Sequence, residues 1–280
     1  MRCFPKPLVV FVTLSCIFIL EIGCSRERIL RLKDKEPIRW DEMILDVKDK
    51  KIILIGEYQE DLKHHEYQLR VIKALHEQGI PVVIGLEMFR ANDQTVLDGW
   101  VSGKLTLDQF LPSYSANWYK PWPVYKDIFL FSREKKIPLI GLNVSAEIPA
   151  KVEKQGFALL SQEEIRQLPP GISCNVDGTY MEYIKRFYRG RPSGKEFVNF
   201  CEAQIISDNA MAFYMLKYVE RYPNSTAIVL SEWNHAWKRG IPRQIERLRS
   251  GHTISVILPE FTKFQRSLMT PEDADFLILK

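Results

Sequence analysis

Five short runs, at 51–55, 82–86, 138–142, 226–230 and 253–258, are almost wholly apolar and rich in β-branched residues. They show no alternation of apolar and polar positions, so neither face of such a strand can meet water. Helices must cover both sides, which is the condition of a parallel sheet. Helical patterns fill the stretches between the runs. Strand–helix alternation of this kind predicts an α/β fold with a mostly parallel central sheet flanked by helices.

The runs end alike. The first closes on Ile55-Gly56-Glu57 and the second on Gly85-Leu86-Glu87. The third closes on Gly141-Leu142-Asn143, and the fourth on Ser231-Glu232, with Asn234 and His235 just beyond. Open parallel sheets bind ligands at the C-terminal edge of their strands. A polar residue there also serves to cap the next helix. Four together favour a shared polar cleft.

Two helical segments lead toward that cleft. At about 100° per residue, Leu62, Leu69, Ile72 and Leu75 share a face. His65 and Gln68 fall inside the stripe and His64 lies at its edge. His65 is therefore expected to face the sheet, either as a hydrogen-bonded core histidine or as part of a site. The second helix covers 197–219, with Phe197, Phe200, Cys201, Ile205, Met211 and Met215 along one side. Gln204 and Asp208, four apart and next to that side, need buried partners. They are read as supports for the polar strand ends rather than as catalysts.

Between the third and fourth strands, about 144–195, lies a charged helical insertion. It carries Tyr180, Met181, Tyr183 and Tyr188. Upstream, Tyr114, Trp118, Tyr119, Trp122 and Tyr125 crowd one segment. That segment either walls a flat apolar ligand or forms core.

The N-terminus points to export. Arg2 and Lys6 precede an apolar run from Leu8 to Leu20, a length that suits a signal peptide and is short for a membrane span. It ends in Glu21-Ile22-Gly23-Cys24-Ser25, which resembles a bacterial lipobox with its leucine one place early. The expected organisation is a signal peptide at 1–23, a lipidated Cys24, a charged tether at 24–40 and one domain at 41–280. Lipidation would hold the domain at a membrane face of the bacterial cell envelope, with the outer membrane as the expected location. Plain secretion or an uncleaved anchor is the alternative. Once Cys3, Cys16 and Cys24 are set aside, Cys174 and Cys201 remain, either as a pair or as separate thiols. The net charge of +4 is mild and no basic block is present, so nucleic acid is not an expected partner.

In order along the chain, "GE", "HHEYQ", "LEMF", "Q" and "LD", "GLN", "AQIISDNAMA" and "NHAWKRGIP" resemble the ChaN-like haem-binding lipoproteins, relatives of the Tiki proteases. The likeness spans about 45–258. It implies an α/β domain with a helical insertion, haem as ligand, a role in haem or iron uptake, and a possible homodimer. The matching positions are Glu57, His65, Gln68, Glu87, Gln94, Asp98, Asn143, Gln204, Asp208 and His235. Two departures stand out. The family's opening motif has a histidine where this chain has Gln59. Its last motif has glycines where this chain has Ser231-Glu232-Trp233. An amide is a weak ligand for a metal such as zinc. That weakens the second reading, a metal-dependent hydrolase with Glu57 or Glu87 as base or ligand and His235 as ligand or acid. For haem iron, the insertion tyrosines Tyr180 and Tyr183 are the candidate ligands. The candidate cleft thus comprises Glu57, Gln59, His65, Glu87, Asn143, Asp208, Glu232 and His235.

Overall fold

The computed structural model describes residues 28–260 and 268–279. The leader and Cys24 lie outside the described residues. The strands are β1 Ile29–Arg31, β2 Glu36–Ile38, β3 Ile52–Glu57, β4 Val82–Arg90, β5 Leu139–Asn143, β6 Thr226–Glu232, β7 Ile254–Pro259 and β8 Phe276–Ile278. They form one sheet in the order β2-β1-β8-β7-β3-β6-β4-β5. From β8 to β5 every pairing is parallel, and β1 runs antiparallel to both of its neighbours.

The helices are α1 Trp40–Val47, α2 Leu62–Glu77, α3 Gln94–Ser102, α4 Leu107–Asn117, α5 Trp122–Lys135, α6 Glu147–Gln155, α7 Gln162–Arg166, α8 Gly178–Ile184, α9 Gly194–Arg221, α10 Trp233–Ala236 and α11 Ile241–Leu248. Pleating sends successive side chains to opposite faces. Ile53 and Ile55 of β3 pack with α1, α2, α4 and α5. Ile52 and Leu54 pack with α8, α9, α10 and α11. Both faces are covered, which is why the strands read as unbroken apolar runs. The α/β class is as expected.

Each of the five expected strands is present within a residue or two, except that β4 runs on to Arg90 with a register shift between Leu86 and Arg90. The stretch read as a tether needs correction. From Ile29 to Ile38 it is a hairpin, turned at Lys35 with φ of 60°, and Ile29 and Leu30 are buried against the sheet. Leu62 also departs from the expected stripe, at 58% exposed. It sits in the first turn of α2, beside the Asp61 cap that accepts from the Lys63 N–H, and that turn overhangs the sheet edge. The buried face of α2 is His64, His65, Gln68, Val71, Ile72 and Leu75.

The insertion is helical as expected. Val144, Ile148, Val152, Leu160 and Leu168 form a small apolar cluster with Ala203, Ile206 and Ala210 of α9. Cys174 and Cys201 are free thiols; burial pushes Cys201 up to about 12. Among the described residues, no helix is long and apolar enough to cross a membrane.

Candidate functional site

β3, β6 and β4 lie side by side and deliver Glu57, Glu232 and Glu87 at their C-terminal ends. The pleat separates them. Glu57 follows Ile53 and Ile55 toward the α2 and α5 layer. Glu87 follows Val83 and Gly85 toward the α9 and α10 layer. The cleft expected from sequence is thus built as two hydrogen-bonded networks, one on each side of the sheet end, with Glu57, Glu87 and Glu232 close enough to feel one another's charge.

On the α2 side, Glu57 is 1% exposed. Its Oε2 accepts from Gln68 Nε2 at 2.8 Å, and its Oε1 accepts from the Tyr125 hydroxyl. His65 Nε2 lies 3.2 Å from Glu57 Oε2, but off line, so neither ring nitrogen makes a hydrogen bond. The His65 ring instead packs on Tyr125, with centroids 4.3 Å apart. His65 does face the sheet, as its place in the helical stripe required. His64 Nδ1 accepts from the Tyr58 N–H at 2.9 Å and ties the strand exit to the helix. Burial, with the Glu57 charge beside it, drives the Tyr125 phenol far above its ordinary range, so Tyr125 is a donor and stays one.

On the α9 side, His235 projects from α10, which begins where β6 ends. Its Nδ1 is 2.7 Å from Asp208 Oδ1, and its Nε2 is 3.9 Å from Glu87 Oε1. Asp208 Oδ2 accepts from the Tyr180 hydroxyl at 2.8 Å. Gln204 Oε1 accepts from Asn234 Nδ2 at 3.0 Å, and the Asn234 carbonyl accepts from the Tyr183 hydroxyl. The two α9 side chains read as supports therefore bond α10 directly. The Glu232 N–H donates to Glu87 Oε2 at 2.5 Å.

Burial alone would hold the His235 imidazole down, but Glu87 and Asp208 outweigh it and lift it to about 9. Burial pushes Glu87 up to about 7, against the opposing pull of His235. Burial raises Asp208 and Glu232 as well, again opposed by His235. Glu87 and His235 thus form a pair in which each charge favours the other against burial. Such a pair can take up or release a proton near neutrality.

The remaining candidates divide. Gln59 is buried and its Oε1 accepts from the Tyr119 hydroxyl. Asn143 stays apart from both networks. Its Nδ2 donates to the Glu87 carbonyl at 3.2 Å and its Oδ1 accepts from the Val144 N–H, so it braces the end of β4. The nomination of Tyr180 and Tyr183 as iron ligands is overturned. Both are buried, both hydroxyls are committed to bonds, and burial beside Asp208 drives both phenols far above their ordinary range. A tyrosinate is strongly opposed there. Sequence reasoning missed the roles of Tyr125 and Asn234, although Tyr125 stood in the aromatic run already singled out.

At the surface beside Gln59, the mouth of the site, Tyr119 is 72% exposed, with Trp118 at 5.1 Å between ring centroids and Lys120 Nζ 4.7 Å from the Tyr119 ring. Lys120 pairs with Glu60 at 2.7 Å. Among the described residues, no three His, Cys, Asp or Glu side chains are grouped to hold a metal ion.

Comparison with known proteins places these features. The family model described as haem-binding uptake, Tiki superfamily, ChaN matches residues 43–245. Among solved structures, the chain is similar to ChaN of Campylobacter jejuni, described for cofacial haem binding. The TM-score is 0.69 at 20% identity, over 90% of this chain and 95% of that one. A mutant of the erythromycin esterase EreC in its open conformation aligns at a TM-score of 0.51 and 11% identity, over 82% of this chain and 76% of that one. A succinoglycan biosynthesis protein aligns at 0.50 and 12%, over 84% and 72%. No curated protein sequence matches. The two buried networks at the sheet end and the match over most of the domain lead to one assignment: the chain belongs to the ChaN family of haem-binding uptake proteins, within the Tiki superfamily.

Proposed function

We propose that this protein is an exported, lipid-anchored haem-binding protein of haem or iron uptake, and that Tyr119 is its iron ligand. Family membership supports the ligand class. The observation that carries the site is Tyr119 itself, a 72% exposed phenol fixed at the cleft mouth through Gln59. Ferric haem is a flat apolar disc with two carboxylates and an iron that accepts tyrosinate. The mouth offers a matching set: a phenol for the iron, the Trp118 indole for a porphyrin face and the Lys120 ammonium for a propionate. Burial raises the Tyr119 phenol, and the Lys120 ammonium opposes that rise. Gln59, a poor ligand for a divalent ion, accepts from the Tyr119 hydroxyl when no haem is bound, and with its amide turned over its NH2 would donate to the iron-bound phenolate.

The relative from Campylobacter jejuni is described for cofacial haem. An exposed disc on this mouth can meet the disc of a second copy, which gives a homodimer with haem between its halves.

The test is a haemin titration of the chain from Ser25 onward, followed by absorbance and by sedimentation. That chain carries every strand of the sheet. The expected result is a saturable Soret band with a ferric-phenolate charge-transfer band and haemin-dependent dimers. In Tyr119→Phe the charge-transfer band disappears and affinity falls at least about tenfold. A variant that keeps band and affinity overturns the assignment.

A further inference from the structure

A second ligand surface lies at the free edge of the sheet. β5 is the last strand, so among the described residues its outer side has no strand partner. A single side chain occupies the place where one would bond. Gln94 Nε2 donates to the Leu139 carbonyl at 2.8 Å, and Gln94 Oε1 accepts from the Gly141 N–H at 3.1 Å. One amide thus does the work of a neighbouring peptide and closes the edge to an added strand.

Beside it opens a cavity of about 1090 Å³, walled by β5, α3, the 166–170 segment and the end of α9. Its volume is that of a large small-molecule site. Tyr214, Tyr218 and Tyr222 follow one another at four-residue steps along one wall. The rings of Tyr218 and Tyr222 lie 4.5 Å apart, tilted at 33°. Pro169 and Pro170 add a rigid apolar rim.

The charge is one-sided. Lys136, Arg166, Lys217 and Arg221 line the groove, and none of them makes an ion pair among the described residues. The carboxylate facing them is Asp98, already bonded to Gln94 Nε2 at 2.9 Å. Four cations, two on α9 and one each from α7 and the end of α5, exceed what one carboxylate needs. The chain's own apolar leader is flanked by Arg2 and Lys6, which the same rim repels.

We propose that this groove binds a flat, largely apolar anion of the carboxylate class, and that it does so without iron. Aromatic walls select the flat body, and the four cations select the charge. The closed strand edge excludes an extended peptide. This site does not rest on the Tyr119 assignment.

Metal-free protoporphyrin IX is the probe, because it has the flat body and carboxylates but no iron to ligate. Binding to the chain from Ser25 onward is read by porphyrin fluorescence at two salt concentrations. Saturable binding that weakens with salt is expected. Lys217→Glu with Arg221→Glu, both on the exposed face of α9, should lose at least tenfold in porphyrin affinity and keep the ferric-phenolate band with haemin. Circular dichroism and melting confirm the fold of the variant. No saturation, or equal affinity in the double variant, overturns the groove site and leaves the Tyr119 assignment standing. Charge-dependent porphyrin binding with no effect of Tyr119→Phe on haemin overturns the Tyr119 assignment instead.

Discussion

Asp208→Asn tests the electrostatics of the α9 network directly. His235 rises from the ordinary 6.5 to about 9 in spite of burial. At about 1.4 kcal/mol per pKa unit, that is roughly 3 kcal/mol of preference for the imidazolium. Three carboxylates supply it, and Asp208, at 2.7 Å from Nδ1, is the nearest. Asparagine keeps the shape and can still accept from Nδ1–H, but it removes the charge. The expected outcome is a fall in the His235 value of at least about one unit, or roughly 1.4 kcal/mol. The sign for stability follows. A folded-state value above the unfolded one stabilises fully below pH 6.5, and that contribution is lost as pH rises toward 9. Glu87, raised from 4.5 to about 7, acts in the same direction over a lower window. Stability of the unaltered protein should therefore decline as pH rises from about 5 to 9, and Asp208→Asn should flatten the upper part of that decline. The assay is an NMR titration of ring nitrogens in histidine-labelled protein, with His235→Gln identifying the signal. If the His235 signal titrates at the same pH in both proteins, the Asp208 charge is not what holds the imidazolium.

Two further outcomes are expected. Asp273 is 1% exposed and its carboxylate accepts from Trp237 Nε1, an Arg186 guanidinium nitrogen, and both the Thr270 N–H and hydroxyl, at 2.9–3.0 Å. Asp273→Asn turns an NH2 toward donors, so urea denaturation should show a loss of about 3 kcal/mol, and a loss under about 1 kcal/mol would contradict this account. Cys24→Ala should move the protein from the membrane fraction to the soluble fraction and abolish labelling by a fatty-acid analogue; a variant still labelled and still sedimenting with membranes would remove Cys24 as the anchor.

The central strands were legible because both their faces are buried, and a run such as 226–230 has no other reading. β1, β2 and β8 were not. Each has three residues, too few for a period, and Glu36–Ile38 follows a charged turn that looks like solvent-exposed chain. The position of His65 was legible from helical spacing alone. The division of Glu57 from Glu87 was not, because it depends on the register that aligns Gly56 with Ser231 and Gly85 with Val229. The bonds of Tyr119 to Gln59 and of Tyr180 to Asp208 join residues 60 and 28 positions apart, and no local pattern encodes them. The tyrosines of the insertion looked available for iron because sequence shows residue type and not exposure.

The hairpin that replaced the expected tether also sets a length. With Cys24 as the attachment point, only Ser25, Arg26 and Glu27 precede Arg28, whose carbonyl already accepts from the Leu279 N–H at 2.8 Å. Four residue steps reach at most about 14 Å. With Cys24 lipidated as proposed, so short a leash would bring the β2-β1-β8 end of the sheet to the bilayer. β3 and β6 stand three and four strands in from β1, or roughly 14–19 Å. That anchor would keep the Tyr119 site close to the lipid surface, where a hydrophobic disc leaving the membrane would meet it within about one molecular diameter.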